Sequence, residues 1–211
     1  MLSRHRAGFT LVELMVVIGI LGLLVTVLAV AVTRHFTKAH ADLDRVNMGK
    51  LHSALQSAVT DPGFKKRFSS NDNKDKAGRE FFEVLFQTGA LGGEDLDNVI
   101  SLGGGDAMAD RANLGKEFKL DASSCSITAP RMGEFQQLLQ ARERKVLFCF
   151  NSRNWHNYDS LSYGTLVAWS DGEVEYLTYE DVKERYDISE EEWNDPGELI
   201  GKKAPFDKTY E

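Results

Sequence analysis

From Leu14 to Thr33 the chain runs for twenty residues without a charge, and Val, Leu, Ile and Ala supply most of them. A helix needs about 20 apolar residues to cross the hydrocarbon core of a bilayer. This run meets that length, and it is apolar on every side rather than along one stripe. One carboxylate, Glu13, stands at its opening. A charge costs roughly 2.5–3.5 kcal/mol at the centre of a membrane helix and less near its edge, and it usually marks a function. A short basic leader, Met1 to Gly8 with Arg4 and Arg6, precedes it.

Apolar length alone leaves three plainer readings open. A secretory signal peptide has a core of about 7–15 residues and a small-x-small cleavage site. Ala29-Val30-Ala31 offers such a site, but the run is long and begins with an acid. A simple membrane anchor needs nothing beyond the length. A helix packed on the core of a small domain is apolar along one stripe, whereas this run is apolar on all sides.

Gly8-Phe9-Thr10-Leu11-Val12-Glu13 ahead of an unbroken apolar segment resembles the type IV pilin-like family, the pilins and the pseudopilins of type II secretion. The resemblance covers roughly residues 4–32. It implies cleavage after Gly8 by a prepilin peptidase, N-methylation of the new amino terminus at Phe9 by the same enzyme, and use of Glu13 in assembly. It also implies partners: other pilin or pseudopilin subunits, an inner-membrane assembly platform and the lipid bilayer.

The chemistry of these residues fits that cycle. Before cleavage the Phe9 nitrogen is an uncharged amide; afterwards it is an ammonium. Glu13 lies four residues on, one helical turn along the same face. A buried charge is tolerable when paired. The expectation is that Glu13 pairs with the Phe9 ammonium of a neighbouring subunit.

The chain has 211 residues, room for one domain plus an anchor. Its net charge is −7, and loss of Arg4 and Arg6 with the leader makes the remainder more negative. An acidic domain is a poor partner for nucleic acid, where phosphates must be neutralised. Arg34, Lys38 and Arg45 beyond the span offset the arginines of the leader, so charge does not fix the orientation. The resemblance places the leader in the cytoplasm and the head outside it.

Cys125 and Cys149 could form a disulfide in an oxidising compartment, worth roughly 3 kcal/mol for a loop of this size. Buried thiols are the alternative. The histidine spacing matches no zinc pattern, and no metal or cofactor is called for. Asp72-Asn73-Lys74-Asp75 lacks the spacing of a calcium loop, and the glycines at 92–93 and 103–105 are not followed by the Lys-Ser/Thr of a phosphate loop.

Beyond the span, Leu43, Val46, Leu51, Ala54, Leu55, Ala58 and Val59 recur at helical spacing on a polar background. One helix from Phe9 to Thr60, roughly 78 Å long, should stop at Asp61-Pro62-Gly63. Residues 63–78, with the basic cluster Phe64-Lys65-Lys66-Arg67-Phe68, read as a loop. Arg79–Thr88 reads as a helix stopped by Gly89, with Phe81, Phe82, Leu85 and Phe86 inward. Phe118–Leu120, Cys125–Thr128 and Val146–Phe150 read as strands, and Glu134–Arg144 as a helix. The polar loop 151–157, with Trp155 and His156, reads as structural. Gly164–Thr178 reads as a hairpin turning at Asp171-Gly172, and it too resembles the C-terminal hairpin of many pilin-like proteins. Thr178 should cap a helix over Tyr179–Tyr186, and an acidic turn should span Ser189–Trp193.

The expected fold is therefore α+β and pilin-like: one long amino-terminal helix, half in the membrane, packed on a small antiparallel sheet with short helices. The expected organisation is a leader at 1–8, a transmembrane and assembly half-helix at 9–33, and a periplasmic or extracellular head at 34–211. The expected function is structural, a subunit of a type II secretion pseudopilus or a type IV pilus held in the bacterial inner membrane before assembly. No nucleophile–base pair, metal set or phosphate loop supports an enzyme. The rival reading is a membrane-tethered binding domain that never polymerises.

Overall fold

Helix α1 runs unbroken over Leu11–Thr60, 50 residues or about 75 Å. It begins at Thr10, whose extended backbone and side chain cap the first turn, and it contains no proline. The computed structural model describes residues 10–99, 117–120, 125–150 and 164–189, with the backbone alone at residues 33–38 and 97. Gly19 and Gly22 lie inside the helix without breaking it.

Asp61 ends α1 and starts the next helix. Its ψ of 122° is the extended conformation that a residue before proline prefers. Its carboxylate accepts from Gly63 N at 2.7 Å and Phe64 N at 3.3 Å, and Pro62 occupies the first helical position, where its missing N–H costs nothing. Helix α2, Pro62–Phe68, therefore stands in place of the loop expected over 63–78. The same Asp-Pro that stops one helix caps another. The basic cluster is its last turn, where cations suit the helix dipole. Arg67 donates to the Thr88 carbonyl at 2.9 Å, and Phe68 is buried, stacked 6.1 Å from Phe135.

Helix α3, Gly78–Thr88, ends at Gly89 with φ 72°, and it buries Phe81, Phe82, Leu85 and Phe86 as expected. A 3-10 segment, Gly93–Val99, then packs against α1. Phe118–Leu120 is not part of a strand. Side chains of α3 hold its backbone instead: Gln87 donates to the Phe118 carbonyl and Leu120 N donates to Glu83. Cys125–Thr128 is reduced to one bridge, Ile127 opposite Phe150. Helix α4 covers Met132–Leu139 rather than reaching Arg144. Lys145 is drawn off into backbone pairing with Ser170, which leads into the sheet.

Strands β1 (Val146–Cys149), β2 (Gly164–Trp169) and β3 (Val174–Thr178) form an antiparallel sheet in that order. The β2–β3 hairpin pairs Gly164 with Thr178 and Ala168 with Val174. Its turn is longer than a two-residue one. Trp169 N donates to the Glu173 carbonyl at 2.9 Å, and among the turn residues Gly172 alone has positive φ, 92°. Thr178 then caps helix α5, Tyr179–Tyr186, through a reciprocal pair with Asp181. Polar loop 151–157 lies outside the described residues, as does most of the acidic turn expected at Ser189–Trp193.

The second half of α1 lies on this sheet. Met48, Leu51, Leu55, Ala58 and Val59 are buried, and so are Asp44 and His52. Leu43 and Val46, expected on the same stripe, are instead about half exposed, at 49% and 52%. Leu43 sits roughly 140° around the helix from Met48 at 100° per residue, so apolar spacing alone merged two faces. The stem is fastened by Arg45, whose Nε donates to the Val174 carbonyl at 2.8 Å. It is also held by His52, which packs edge-to-face on Phe148 under the hairpin turn.

Candidate functional site at the amino end of helix α1

Gly8 and Phe9, the residues expected at the cleavage point, lie outside the described residues; Thr10 and Glu13 lie inside. Thr10 Oγ1 accepts from Glu13 N at 3.2 Å. Glu13 Oε2 accepts in return from Thr10 N and from Thr10 Oγ1, both at 2.8 Å. Two otherwise orphaned donors at the helix start are satisfied this way, and a carboxylate here suits the positive end of the helix dipole.

This arrangement fixes where the acid points. All three bonds leave Glu13 Oε1 without a donor from the described residues. A carboxylate can accept about four hydrogen bonds, so the side chain is held in place with capacity for one more cationic donor. Thr10 is the residue that sequence reasoning did not single out, although Thr-x-x-Glu ahead of an apolar run is a capping-box signal.

The helical span that carries this carboxylate near its start, Leu11–Val32, has 22 residues, and its apolar window is not buried within the chain. At 1.5 Å per residue it is about 33 Å long, against a bilayer core of about 30 Å. Its hydroxyl at Thr26 donates to the Gly22 carbonyl at 2.8 Å, so that polar group is satisfied inside the helix, as an apolar medium requires. A Cβ added at Gly19 or Gly22 would meet nothing within 4 Å in the isolated chain.

The structure does not join Cys125 to Cys149; both are buried thiols. Thr128 faces Cys149, with N–H to carbonyl at 2.8 Å and Oγ1 to Sγ at 3.3 Å. Cys125 is three residues from Thr128, about 10 Å along an extended chain, whereas a disulfide needs Cα atoms about 4.4–6.8 Å apart. Cys125 Sγ points instead to the Ile127 carbonyl at 3.3 Å. Among the described residues no group of three or more His, Cys, Asp or Glu side chains is arranged to hold a metal.

The chain carries the prokaryotic N-terminal methylation motif, matched over residues 3–29, which is the amino-terminal signature of type IV pilins and pseudopilins. That motif marks a prepilin-like protein processed by prepilin peptidase and anchored by a single amino-terminal span, in a class that is typically structural rather than enzymatic. The helices and three-stranded antiparallel sheet make an α+β arrangement consistent with the pilin-like fold. No curated protein and no solved structure matches the chain significantly.

Proposed function

We propose that this chain is cleaved after Gly8, N-methylated at Phe9 and polymerised through α1 into a type II secretion pseudopilus or a type IV pilus. Residues 1–8 are the leader, residues 9–33 the transmembrane and assembly half of α1, and residues 34–211 the head on the far side of the inner membrane. Partners are prepilin peptidase, further pilin or pseudopilin subunits and the inner-membrane assembly platform.

The observation that carries this reading is the Thr10–Glu13 capping box at the mouth of an entirely exposed apolar helix. A simple anchor needs the apolar length but not the acid, which costs free energy beside lipid. Glu13 held by Thr10, with Oε1 still able to accept, suits capture of the Phe9 ammonium of a neighbouring subunit. The pair neutralises both charges as the helix leaves lipid for a protein core.

Incorporation of the Glu13→Val protein into filaments tests this. Leader removal should proceed as in the wild type, while the variant should be lost from sheared filaments when it is the only copy. Normal incorporation would contradict the role given to Glu13.

A further inference from the structure

His52 is a histidine on the buried face of α1, and it is only 6% exposed. Met48, Leu51 and Leu55 flank it along the helix, and Phe148 of β1 packs against its ring at 6.4 Å with an interplanar angle of 60°. The hairpin turn closes over it: a Cβ built on Gly172 would stand 3.2 Å from Cε1 and 3.4 Å from Nδ1. The Ser170 backbone lies beside the ring on the side that favours a protonated imidazole. Nε2 is buried and has no hydrogen-bond partner among the described residues, so a proton arriving there would find no acceptor among them.

The charges around this ring are already engaged. On the hairpin, Asp171 faces it but lies 3.1 Å from Arg144 Nε, and Glu173 is held by the same arginine at 2.7 Å. On α1, two turns toward the amino end, Arg45 is bound to the Val174 carbonyl and Asp44 is buried. Lys145, at the foot of β1, pairs with Ser170 through its backbone. A proton arriving at Nε2 would therefore put a donor where no described residue accepts, and a charge whose nearby carboxylate, Asp171, is already bound to Arg144. Burying a charge without a partner is costly. The inexpensive relief is movement of the turn, which would admit water or bring Asp171 over to the imidazolium.

We infer that His52 and the turn Ser170–Gly172 form an acid-sensitive latch between the stem helix and the hairpin, closed while the imidazole is neutral and loosened when Nε2 is protonated. Burial holds the His52 pKa below the ordinary histidine value, with the Ser170 bond and Asp171 opposing the shift more weakly. The sign follows from linkage. Above the ordinary value of 6.5 the contribution is fully present. It is lost as pH falls from there toward the folded pKa, because the opened state binds the proton more tightly. The latch is a property of one chain and does not depend on polymerisation.

Hydrogen–deuterium exchange on the full-length protein in detergent micelles reads it, with rates corrected for intrinsic pH dependence. Between pH 7.5 and 5.5, protection of peptides covering 164–178 should fall severalfold relative to peptides covering 78–88. His52→Gln should remove that difference. NMR titration of the wild-type imidazole should place its midpoint below 6.5, within the range where the hairpin opens. Parallel loss of protection in both regions would overturn the latch, as would persistence of the difference in His52→Gln or a His52 midpoint at or above 6.5. Should His52→Gln fail to fold, the wild-type titration decides between the same two outcomes.

Discussion

Thr10 and Glu13 are joined by three hydrogen bonds: the hydroxyl accepts from the Glu13 amide, and the carboxylate accepts from the Thr10 amide and hydroxyl. The acid that opens the apolar span is thus oriented by its own helix before any second subunit arrives. Thr10→Ala removes the hydroxyl that supplies two of the three bonds. Leader cleavage should continue in this variant, filament incorporation should fall severalfold, and Thr10→Ser should restore it. Sheared-filament immunoblots against total processed protein measure this. Incorporation at the wild-type level in Thr10→Ala would show that Glu13 needs no such support.

Gly164 starts β2 opposite Thr178, and a Cβ placed there would overlap the Leu177 carbonyl. The strand pair must shift to admit it. Gly164→Ala should destabilise the head by about 1–3 kcal/mol, the usual range for forcing an atom into a packed site. Chemical denaturation followed by tryptophan fluorescence checks this. An unchanged midpoint would mean that the hairpin is looser than described.

Cys125 and Cys149 should remain thiols in the folded protein. Both are buried, so maleimide should modify them only after unfolding. Intact-mass spectrometry of non-reduced protein should show the full thiol mass. A mass lower by two hydrogens would show a disulfide and require the 125–128 segment to shift.

Helix α5 should fray in acid. The Thr178 side-chain and backbone bonds hold the Asp181 carboxyl below its ordinary value, with a smaller contribution from Arg185. A carboxylate with depressed pKa contributes stability above its unfolded value of 3.8, and that contribution disappears as pH falls through the folded pKa. Thr178→Ala should cost about 0.5–2 kcal/mol at neutral pH. The cost of Asp181→Ala should be present at pH 6 and should shrink as pH falls below 3.8. Equal cost at both ends of that range would contradict the capping role.

How much of this was legible in the sequence depended on whether a signal was local. Gly89, Thr178 and Asp171-Gly172 act through their own backbone neighbourhoods, and the elements they bound lie where they were expected. The span and its acid were legible for the same reason. Asp61-Pro62 was local too, but it carries two meanings, and the loop reading took only the first. The misplaced pieces depend on distant partners. Phe118–Leu120 is shaped by Glu83 and Gln87, and the helix expected to reach Arg144 stops at Leu139, ahead of Lys145, whose carbonyl accepts from Ser170 N. Leu43 and Val46 look like core because periodicity cannot tell which of two apolar faces meets the head. At the site, Glu13 was visible as an anomaly, whereas Thr10 was hidden by being an ordinary cap.

The central claim is that the amino terminus is processed and then used. Mass spectrometry of the amino-terminal peptide from native membranes tests it most directly. The account predicts N-methyl-Phe9 as the first residue. A terminus near Val32 would mean signal-peptide cleavage and a released head, and an intact Met1 in cells with an active prepilin peptidase would leave only an anchor; either would contradict it.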